Sequence, residues 1–219
     1  MAFTANRIYY FGAILFIIIS ASFVFMGNHG DAIIWLSERR TSALNSFFKI
    51  ITRVGEEWSY VILLIILLCY KFRYALMVLL LAILVPLVSL TLKNIFAQPR
   101  PKRFFTENKI FESLNIIDGI ELYTANTSFP SGHTISAFAV MGFAAFAFRE
   151  YKMISYVLIV LSIAVALSRV YLVQHFLLDV CVGAALGSFV ALLTSWVSCR
   201  IEHPNNSWME SNLRSYRKI

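Results

Sequence analysis

The sequence predicts an all-α integral membrane protein: a six-transmembrane-helix bundle with an amphipathic interfacial helix and a long outer loop carrying part of a functional site. Two observations on composition lead to this class. Apolar residues make up 59% of the 219 residues and charged residues 14%, and the mean hydropathy is +0.72. A soluble domain of this size has too little interior to bury so much apolar surface. The composition therefore excludes an ordinary soluble domain, a disordered chain and a disulfide scaffold.

The third observation is the number of long apolar runs, since a span needs about 20 mostly apolar residues. Six runs qualify: Ile8–Met26, Val54–Tyr70, Tyr74–Leu92, Gly132–Phe148, Met153–Leu172 and Phe176–Val197. The second is the weakest because Glu56 and Glu57 lie near its start. The first also has the charged flank of a signal peptide, but it is longer than a usual signal core.

The segment between the first two spans, Asp31–Arg53, is predicted to contain a helix lying on the membrane surface. Its apolar residues recur at helical spacing, and its polar residues fall elsewhere on the helical wheel. The apolar set is Leu44, Phe47, Phe48, Ile51 and Val54, and the polar set is Asn45, Lys49, Thr52 and Arg53. A solvent-side loop with a few apolar anchors is the alternative.

Polar segments indicate the domain organisation and the orientation. Residues 1–199 are predicted to form the membrane domain, residues 200–219 a polar cytoplasmic tail, and Lys93–Ser131 the long outer loop. Basic residues of the short loops and of both termini fall on one side of a six-span chain, which the positive-inside rule assigns to the cytoplasm. They are Arg7, Lys71, Arg73, Arg149, Lys152, Arg200, Arg214, Arg217 and Lys218.

The net charge of +7 indicates an anionic partner. The basic residues lie between apolar runs and form no continuous stripe, so membrane lipids or a phosphorylated substrate are expected and nucleic acid is not. The sequence offers no carboxylate cluster and no cysteine–histidine set with metal-ligand spacing, so no metal and no other cofactor is expected.

His175 and Asp179 are four residues apart, so a helix would place them on one face, one turn apart. A carboxylate in a span needs a partner. Asp179 would hold one ring N–H of His175 and leave the other nitrogen free to act as a nucleophile or general base. A satisfied pair that only packs helices is an equally good interpretation of these two residues alone.

Three cations are predicted to converge on the same membrane edge. Arg169 lies six residues before His175 across a tight turn, and Lys93 and Arg100 lie where the long loop begins. Three such charges would repel one another unless an anion lies between them, and arginine and lysine both suit phosphate oxygens. The alternative for each alone is an interfacial cation whose stem lies in the membrane.

The sequence Pro130-Ser131-Gly132-His133 opens the fourth span. Proline and serine begin helices, and the first N–H groups of a helix form an anion site. Gly132 would let an oxyanion approach the backbone, Ser131 could donate a hydrogen bond, and His133 would lie where it can transfer protons. A plain helix cap with an interfacial histidine is the alternative.

Taken together, these three clusters resemble a family signature. The motifs K-N-I-F-A-Q-P-R-P, P-S-G-H and S-R-V-Y-L-V-Q-H-F-L-L-D match that of the membrane branch of the type 2 phosphatidic acid phosphatase superfamily, which is also similar to vanadium haloperoxidases and bacterial acid phosphatases. The resemblance covers Ile8 to about Val197, and the tail is outside it.

The resemblance implies a role for each residue. Lys93, Arg100 and Arg169 would bind the phosphate, with hydrogen bonds from Ser131 and Gly132. His175 would attack phosphorus, oriented by Asp179, and His133 would protonate the leaving oxygen. A phosphohistidine would form and would then be hydrolysed by a water molecule that His133 activates.

The resulting hypothesis is a metal-independent lipid phosphatase in the inner (plasma) membrane, with its site outside and both termini cytoplasmic. The expected substrate is a lipid phosphate monoester or a polyprenyl diphosphate: undecaprenyl diphosphate, phosphatidylglycerol phosphate, phosphatidic acid or lipid A. A lipid-to-lipid phosphotransferase using the same site is the alternative enzyme, and a membrane transporter is the alternative outside enzymes. The sequence leaves the oligomeric state open.

Overall fold

The computed structural model describes residues 7–201 and 207–213. Within these ranges the chain is mainly helical and has no strand, and its longest connection joins α6 to α7. The helices are α1 (Arg7–Met26), α2 (Asp31–Glu38), α3 (Ser42–Ile51), α4 (Trp58–Leu68), α5 (Phe72–Phe96), α6 (Pro101–Glu107), α7 (Gly132–Ala147), α8 (Lys152–Tyr171), α9 (Leu177–Arg200) and α10 (Ser207–Glu210). Two 3-10 turns, Thr52–Gly55 and Phe111–Ser113, lie between them.

Helix α7 is the centre of the bundle. Every side chain from Thr134 to Ala147 is buried. Small residues let α9 approach it closely: a Cβ atom added at Gly187 would lie 2.5 Å from the carbonyl oxygen of Ile135, and one at Gly183 would lie 3.0 Å from that of Ser131. This close packing holds the first turns of α7 and α9 side by side.

Four helical segments among the described residues are long and apolar enough to cross a membrane. They are Arg7–Met26, Phe72–Glu107 (which contains α5), Lys152–Tyr171 and Leu177–Arg200. They coincide with the first, third, fifth and sixth predicted spans. Helix α7 has 16 residues and coincides with the fourth.

The second predicted span, Val54–Tyr70, is wrong at its start. Val54 belongs to a 3-10 turn, and α4 covers only 11 residues, Trp58–Leu68. At 1.5 Å per residue this helix is about 17 Å long, roughly half of a hydrocarbon core. Helix α4 begins only after Glu56 and Glu57, whose charges resist burial in an apolar helix. The count of six transmembrane helices therefore stays a prediction.

The predicted surface segment Asp31–Arg53 contains two helices, α2 and α3. Thr41 separates them and caps α3, because its hydroxyl oxygen accepts the N–H of Leu44 at 3.2 Å. One side of α3 packs inward: the ring centroid of Phe48 lies 4.4 Å from that of Tyr171, while Phe47 is 48% exposed. Helix α3 therefore forms within the predicted segment, and its amphipathic character and its position on a membrane stay predictions.

Helix α10 docks against the start of α5. Glu210 forms salt bridges with Lys71 at 2.7 Å and Arg73 at 2.8 Å, and the N–H of Phe72 donates to the carbonyl of Ser211 at 3.0 Å. Part of the predicted tail, residues 202–206 and 214–219, lies outside the described residues. The boundary between residues 199 and 200 stays a prediction.

Candidate active site

The turn between α8 and α9 brings Arg169 and His175 together. The carbonyl oxygen of Arg169 accepts two backbone hydrogen bonds, from Gln174 at 2.9 Å and from His175 at 3.1 Å. Val173 adopts a left-handed conformation with φ of 58° at the bend. The two side chains that the sequence places six residues apart therefore lie at one end of the bundle.

His175 and Asp179 form the predicted pair. The Nδ1 atom of His175 lies 3.3 Å from Oδ2 of Asp179, and the two side chains are 2% and 0% exposed. The same carboxylate oxygen accepts the backbone N–H of Phe176 at 2.9 Å and the hydroxyl of Ser128 at 2.5 Å. Because Nδ1 faces Asp179, the Nε2 atom of His175 is the nitrogen left for chemistry.

Burial lowers the pKa of His175 to about 4. Its hydrogen bond to Asp179 opposes this effect, whereas the charges of Arg169 and Arg100 add to it. His175 is therefore neutral at pH 7, and a neutral imidazole with Nδ1 protonated carries a lone pair on Nε2. This is the protonation state that a histidine nucleophile requires.

The first turn of α7 lies against the first turn of α9. The N–H of Ser131 donates to the carbonyl of Asp179 at 3.1 Å, so this N–H is already used. The hydroxyl of Ser131 accepts a hydrogen bond from Thr134 at 2.9 Å and keeps its own proton for another acceptor. Gly132 faces the end of α5, since a Cβ added there would lie 3.6 Å from Nζ of Lys93 and 3.1 Å from Oγ of Ser89.

Arg169 is buried, and no carboxylate in the described ranges forms a salt bridge with it. The residue is only 7% exposed, and one guanidinium nitrogen donates to the hydroxyl of Thr52 at 2.7 Å. Its Nε atom has no hydrogen-bond partner among the described residues. A buried guanidinium with an unused donor can bind a further anion.

Arg100 is fixed from three directions. Its Nε donates to the hydroxyl of Thr127 at 3.2 Å, one terminal nitrogen donates to the side-chain oxygen of Gln174 at 3.3 Å, and the guanidinium lies 5.3 Å from the ring centroid of Tyr123. These partners are neutral, so they orient the cation without neutralising it. Lys93 lies close enough to Arg100 and Arg169 to interact with their charges.

His133 lies beside the His175–Asp179 pair. It is close enough to interact with the charges of His175, Arg169 and Lys93. The 3-10 turn Thr52–Gly55 covers it from the other side, because a Cβ added at Gly55 would lie 3.2 Å from Cβ of His133. The same turn thus holds Arg169 through Thr52 and packs against His133.

All eight predicted site residues lie at this one end of the bundle: Lys93, Arg100, Ser131, Gly132, His133, Arg169, His175 and Asp179. Within the described part of the chain, none of the three cations forms a salt bridge, and no group of three or more His, Cys, Asp or Glu side chains is placed to hold a metal ion. The arrangement can bind a tetrahedral oxyanion between the cations and the start of α7, next to a neutral histidine.

Sequence reasoning missed three side chains that hold these residues in place. Ser128 binds Asp179, Thr52 binds Arg169, and Gln174 binds Arg100 and also donates to the carbonyl of Glu121 at 2.9 Å. Thr52 falls in the segment interpreted as a surface helix. Of the three, only Gln174 lies directly beside a predicted site residue, His175, and this position in the sequence is a signal that could have identified it.

An apolar cavity of about 630 Å³ lies beside this site. It opens between α1, α2, α8 and α9, and Phe176, which directly follows His175, lines it. The ring of His29 lies against Phe176 with 3.8 Å between the ring centroids. An apolar cavity therefore adjoins a strongly cationic site.

A family model of the PAP2 superfamily matches residues 71–201, which contain all three clusters. The chain belongs to the PAP2 superfamily. Together with the apolar helices, this membership makes the chain a multi-pass membrane protein of that superfamily. The resemblance inferred from the three motifs is thus confirmed.

Three known proteins are similar to the chain. The "bacitracin transport permease protein BcrC" of Bacillus licheniformis is 34% identical over 109 residues, 50% of this chain and 50% of that protein. The chain thus matches about half the length of this curated relative. The crystal structure of Aquifex aeolicus LpxE aligns with a TM-score of 0.62 and 25% identity, over 78% of this chain and 93% of LpxE.

The third relative is the transmembrane PAP2-type phosphatidylglycerolphosphate phosphatase of Bacillus subtilis. Its crystal structure aligns with a TM-score of 0.51 and 21% identity, over 90% of this chain and 98% of that one. At this level of identity the likeness concerns the fold alone.

Proposed function

We propose that the protein hydrolyses a lipid phosphate monoester or a polyprenyl diphosphate at the outer face of the plasma membrane, through a phosphohistidine intermediate. The observation that carries the proposal is the convergence of Lys93, Arg100 and Arg169 around the His175–Asp179 pair, with none of the three cations in a salt bridge among the described residues. A phosphoryl group supplies the negative charge that would balance these cations, and its oxygens can accept hydrogen bonds from their side chains.

In the first step, the Nε2 lone pair of His175 attacks phosphorus and the bond from phosphorus to the leaving oxygen breaks. His133 gives its proton to that oxygen, so the product leaves as a neutral alcohol or as a protonated phosphate. Asp179 stabilises the positive charge that develops on the ring of His175. The three cations stabilise the charge on the equatorial oxygens.

In the second step, water attacks the phosphorus of the phosphohistidine. His133 accepts the proton of the water, the N–P bond breaks, and inorganic phosphate leaves. The electron pair returns to Nε2 of His175, and His133 is again protonated for the next turnover. Neither step needs a metal ion.

A lipid substrate is favoured over a water-soluble phosphate by the surroundings of the site. The cationic end of the bundle adjoins the apolar cavity beside Phe176, and three helices around that cavity, α1, α8 and α9, are long and apolar enough to cross a membrane. Phosphatidylglycerol phosphate, which the name of one structural relative contains, and lipid A are two of the four candidate lipids. Phosphatidic acid and undecaprenyl diphosphate remain the other two.

The test is phosphate release by detergent-purified protein from each of these four lipids, with His175→Ala as the matched control. Release from at least one lipid by the wild-type protein, and none by the variant, is expected. Failure of the wild-type protein on all four, or equal release by His175→Ala, would contradict the proposal. Adding a second lipid as acceptor distinguishes hydrolysis from phosphotransfer, because transfer yields a phosphorylated acceptor instead of inorganic phosphate.

The proposal includes six spans, with both termini in the cytoplasm and α6 outside. In a variant whose Cys69, Cys181 and Cys199 are replaced by alanine, a cysteine at exposed Thr106 of α6 should react with an impermeant thiol reagent in intact cells. A cysteine at Phe72, between Lys71 and Arg73, should react only after permeabilisation. The reverse pattern would place the site in the cytoplasm.

The name of the Bacillus licheniformis relative, a transport permease, favours a membrane transporter as the second candidate. A transporter of this kind needs ionisable groups along the depth of the bundle. In proteoliposomes with the test lipids, a transporter would move solute or lipid without releasing phosphate, and His175→Ala would leave a phosphate assay unchanged at background.

A further inference from the structure

Asp179 uses only one of its two carboxylate oxygens. Oδ2 receives three donors, the hydroxyl of Ser128, the N–H of Phe176 and the Nδ1 atom of His175. Oδ1 is buried and has no hydrogen-bond partner within the described part of the chain. The orientation of the carboxylate plane therefore depends on the donors gathered at Oδ2.

Ser128 is itself fixed before it reaches Asp179. It is fully buried, and its backbone N–H donates to the carbonyl of Gln98 at 3.0 Å. Gln98 lies two residues before Arg100, and Ser128 lies three residues before Ser131, so this serine stands where the segments carrying the first two clusters meet. Its hydroxyl then bridges them to the third cluster, on α9.

Of the three donors at Oδ2, Ser128 is the one supplied by a distant part of the chain. Phe176 and His175 belong to the same turn as Asp179 and would move with it, whereas Ser128 is 51 residues away in sequence. A hydroxyl that donates to a carboxylate forms a strong, charge-assisted hydrogen bond. Ser128 is therefore the contact that fixes Asp179 relative to the phosphate-binding residues.

We infer that Ser128 is a positioning residue for the reaction: its hydroxyl holds the Asp179 carboxylate in the orientation that aims His175 at phosphorus. The inference rests on the proposed phosphatase function. Ser128 does not touch the substrate. It acts through Asp179, and the phosphate-binding cations do not depend on it.

The Ser128→Ala variant removes the hydroxyl and keeps the backbone hydrogen bond to Gln98. With a lipid that the wild-type protein hydrolyses, we expect kcat to fall about 10-fold to 100-fold, the range expected for one hydrogen bond to a charged group. KM and the affinity for vanadate should stay within about threefold, since Lys93, Arg100 and Arg169 are unchanged. A purely structural role would lower the folded fraction and leave kcat per folded molecule unchanged.

A matched control and a conservative variant sharpen the test. Ser20 is also a buried serine, 3% exposed, and its hydroxyl donates to the carbonyl of Phe16 within α1 at 2.7 Å. Ser20→Ala should leave kcat unchanged. Ser128→Thr keeps a hydroxyl at the same position and should recover most of the activity lost in Ser128→Ala.

A double-mutant cycle decides whether Ser128 acts through Asp179. If it does, Ser128→Ala combined with Asp179→Asn should be no slower than Asp179→Asn alone. Independent, multiplicative losses would overturn the inference, as would an unchanged kcat in Ser128→Ala. Failure of the wild-type protein to release phosphate would instead contradict the proposed function, so the two failures are distinguishable.

Discussion

Two buried arginines at opposite ends of the bundle have opposite surroundings. Arg73, at the start of α5, is 1% exposed; it is paired with Glu210 at 2.8 Å and donates to the carbonyl of Ser198 at 2.7 Å. Arg169, at the end of α8, is 7% exposed, but its partner at 2.7 Å is the neutral hydroxyl of Thr52. A buried cation is costly unless an anion accompanies it.

The two arginines differ in their partners more than in their burial. Glu210 of α10 supplies the anion for Arg73, so the buried cation at that end is already paired. Among the described residues, no carboxylate forms a salt bridge with Arg169, and Lys93 and Arg100 add two more positive charges nearby. We therefore expect the end of the bundle that carries Arg169 to bind an anion from outside the chain, and the end that carries Arg73 not to bind one.

The largest effect is expected from the residue that would form a bond to that anion. His175→Ala removes the nucleophile and should lower kcat by at least about 10⁴-fold, because the remaining residues only bind and polarise the phosphate. Phosphate release from the preferred lipid measures it. Near-normal turnover in this variant would contradict the phosphohistidine mechanism.

His29→Ala is the matched control for that measurement. It also removes an imidazole near the site, since the His29 ring lies against Phe176, but His29 takes no part in the proposed proton or phosphoryl transfers. Its kcat should stay close to that of the wild-type protein, whereas KM can change because His29 lines the apolar cavity. An equal loss in both variants would mean that the phosphate assay reports damage to the packing around Phe176.

The second effect tests the unpaired arginine directly. Arg169→Ala should lower kcat/KM about 10²-fold to 10³-fold, the usual result of removing one preorganised donor to the transition state. Vanadate should inhibit the wild-type protein, and its affinity should fall in parallel in the variant. Both measurements are made with excess chelator. Complete loss of wild-type activity on chelation would mean that a metal ion carries charge that we assign to the arginines.

The parts of the site that the sequence predicts are those fixed by local geometry. His175 and Asp179 are one helical turn apart, and Arg169 and His175 flank a turn of a few residues. The long helices follow from apolar runs in the same way. The start of α4 was misplaced because hydropathy alone does not locate the first helical turn after Glu56 and Glu57.

The parts that the sequence does not predict depend on contacts between distant segments. Ser128 meets Asp179 across 51 residues, and Thr52 meets Arg169 across 117. Neither serine nor threonine is unusual in its own segment, so no local pattern identifies them. These residues decide which way the predicted groups point, and only the packing of α7 against α9 and of the 3-10 turn against α8 brings them into place.

The third effect is a shift in pH dependence. Burial lowers the pKa of His175 to about 4, with Arg169, Arg100 and Asp179 facing it. The neutral ring is the nucleophile, so protonation of His175 should leave kcat/KM nearly constant from pH 7 down to about pH 5 and reduce it only near pH 4. A free histidine would lose activity already below about pH 6.5. A substrate with a good leaving group is needed, so that the proton from His133 does not limit the rate.

The lowered pKa of His175 also makes the stability of the fold depend on pH. Between about pH 6.5 and pH 4 the unfolded chain holds a proton on His175 that the folded protein does not. The contribution of neutral His175 to the free energy of unfolding is therefore fully present above the unfolded pKa of about 6.5. It is lost as the pH falls through the folded pKa of about 4. Thermal unfolding in detergent should show a lower apparent Tm at pH 4.5 than at pH 7, and His175→Ala should reduce the difference.

The smallest effect on activity is expected at the end of the bundle where Glu210 pairs with Arg73. Glu210→Gln removes the carboxylate that accompanies Arg73 and Lys71 while keeping the size of the side chain. Glu210 is 32% exposed, so solvent screens part of the pair, and we expect a loss of about 1–3 kcal/mol in stability and a fall of a few degrees in apparent Tm. The kcat should not change, because α5 separates Arg73 from Lys93 by about 30 Å at 1.5 Å per residue. If Glu210→Gln lowered kcat without lowering Tm, the two ends of the bundle would be coupled, and Arg73 would belong with Arg169 among the residues on which function depends.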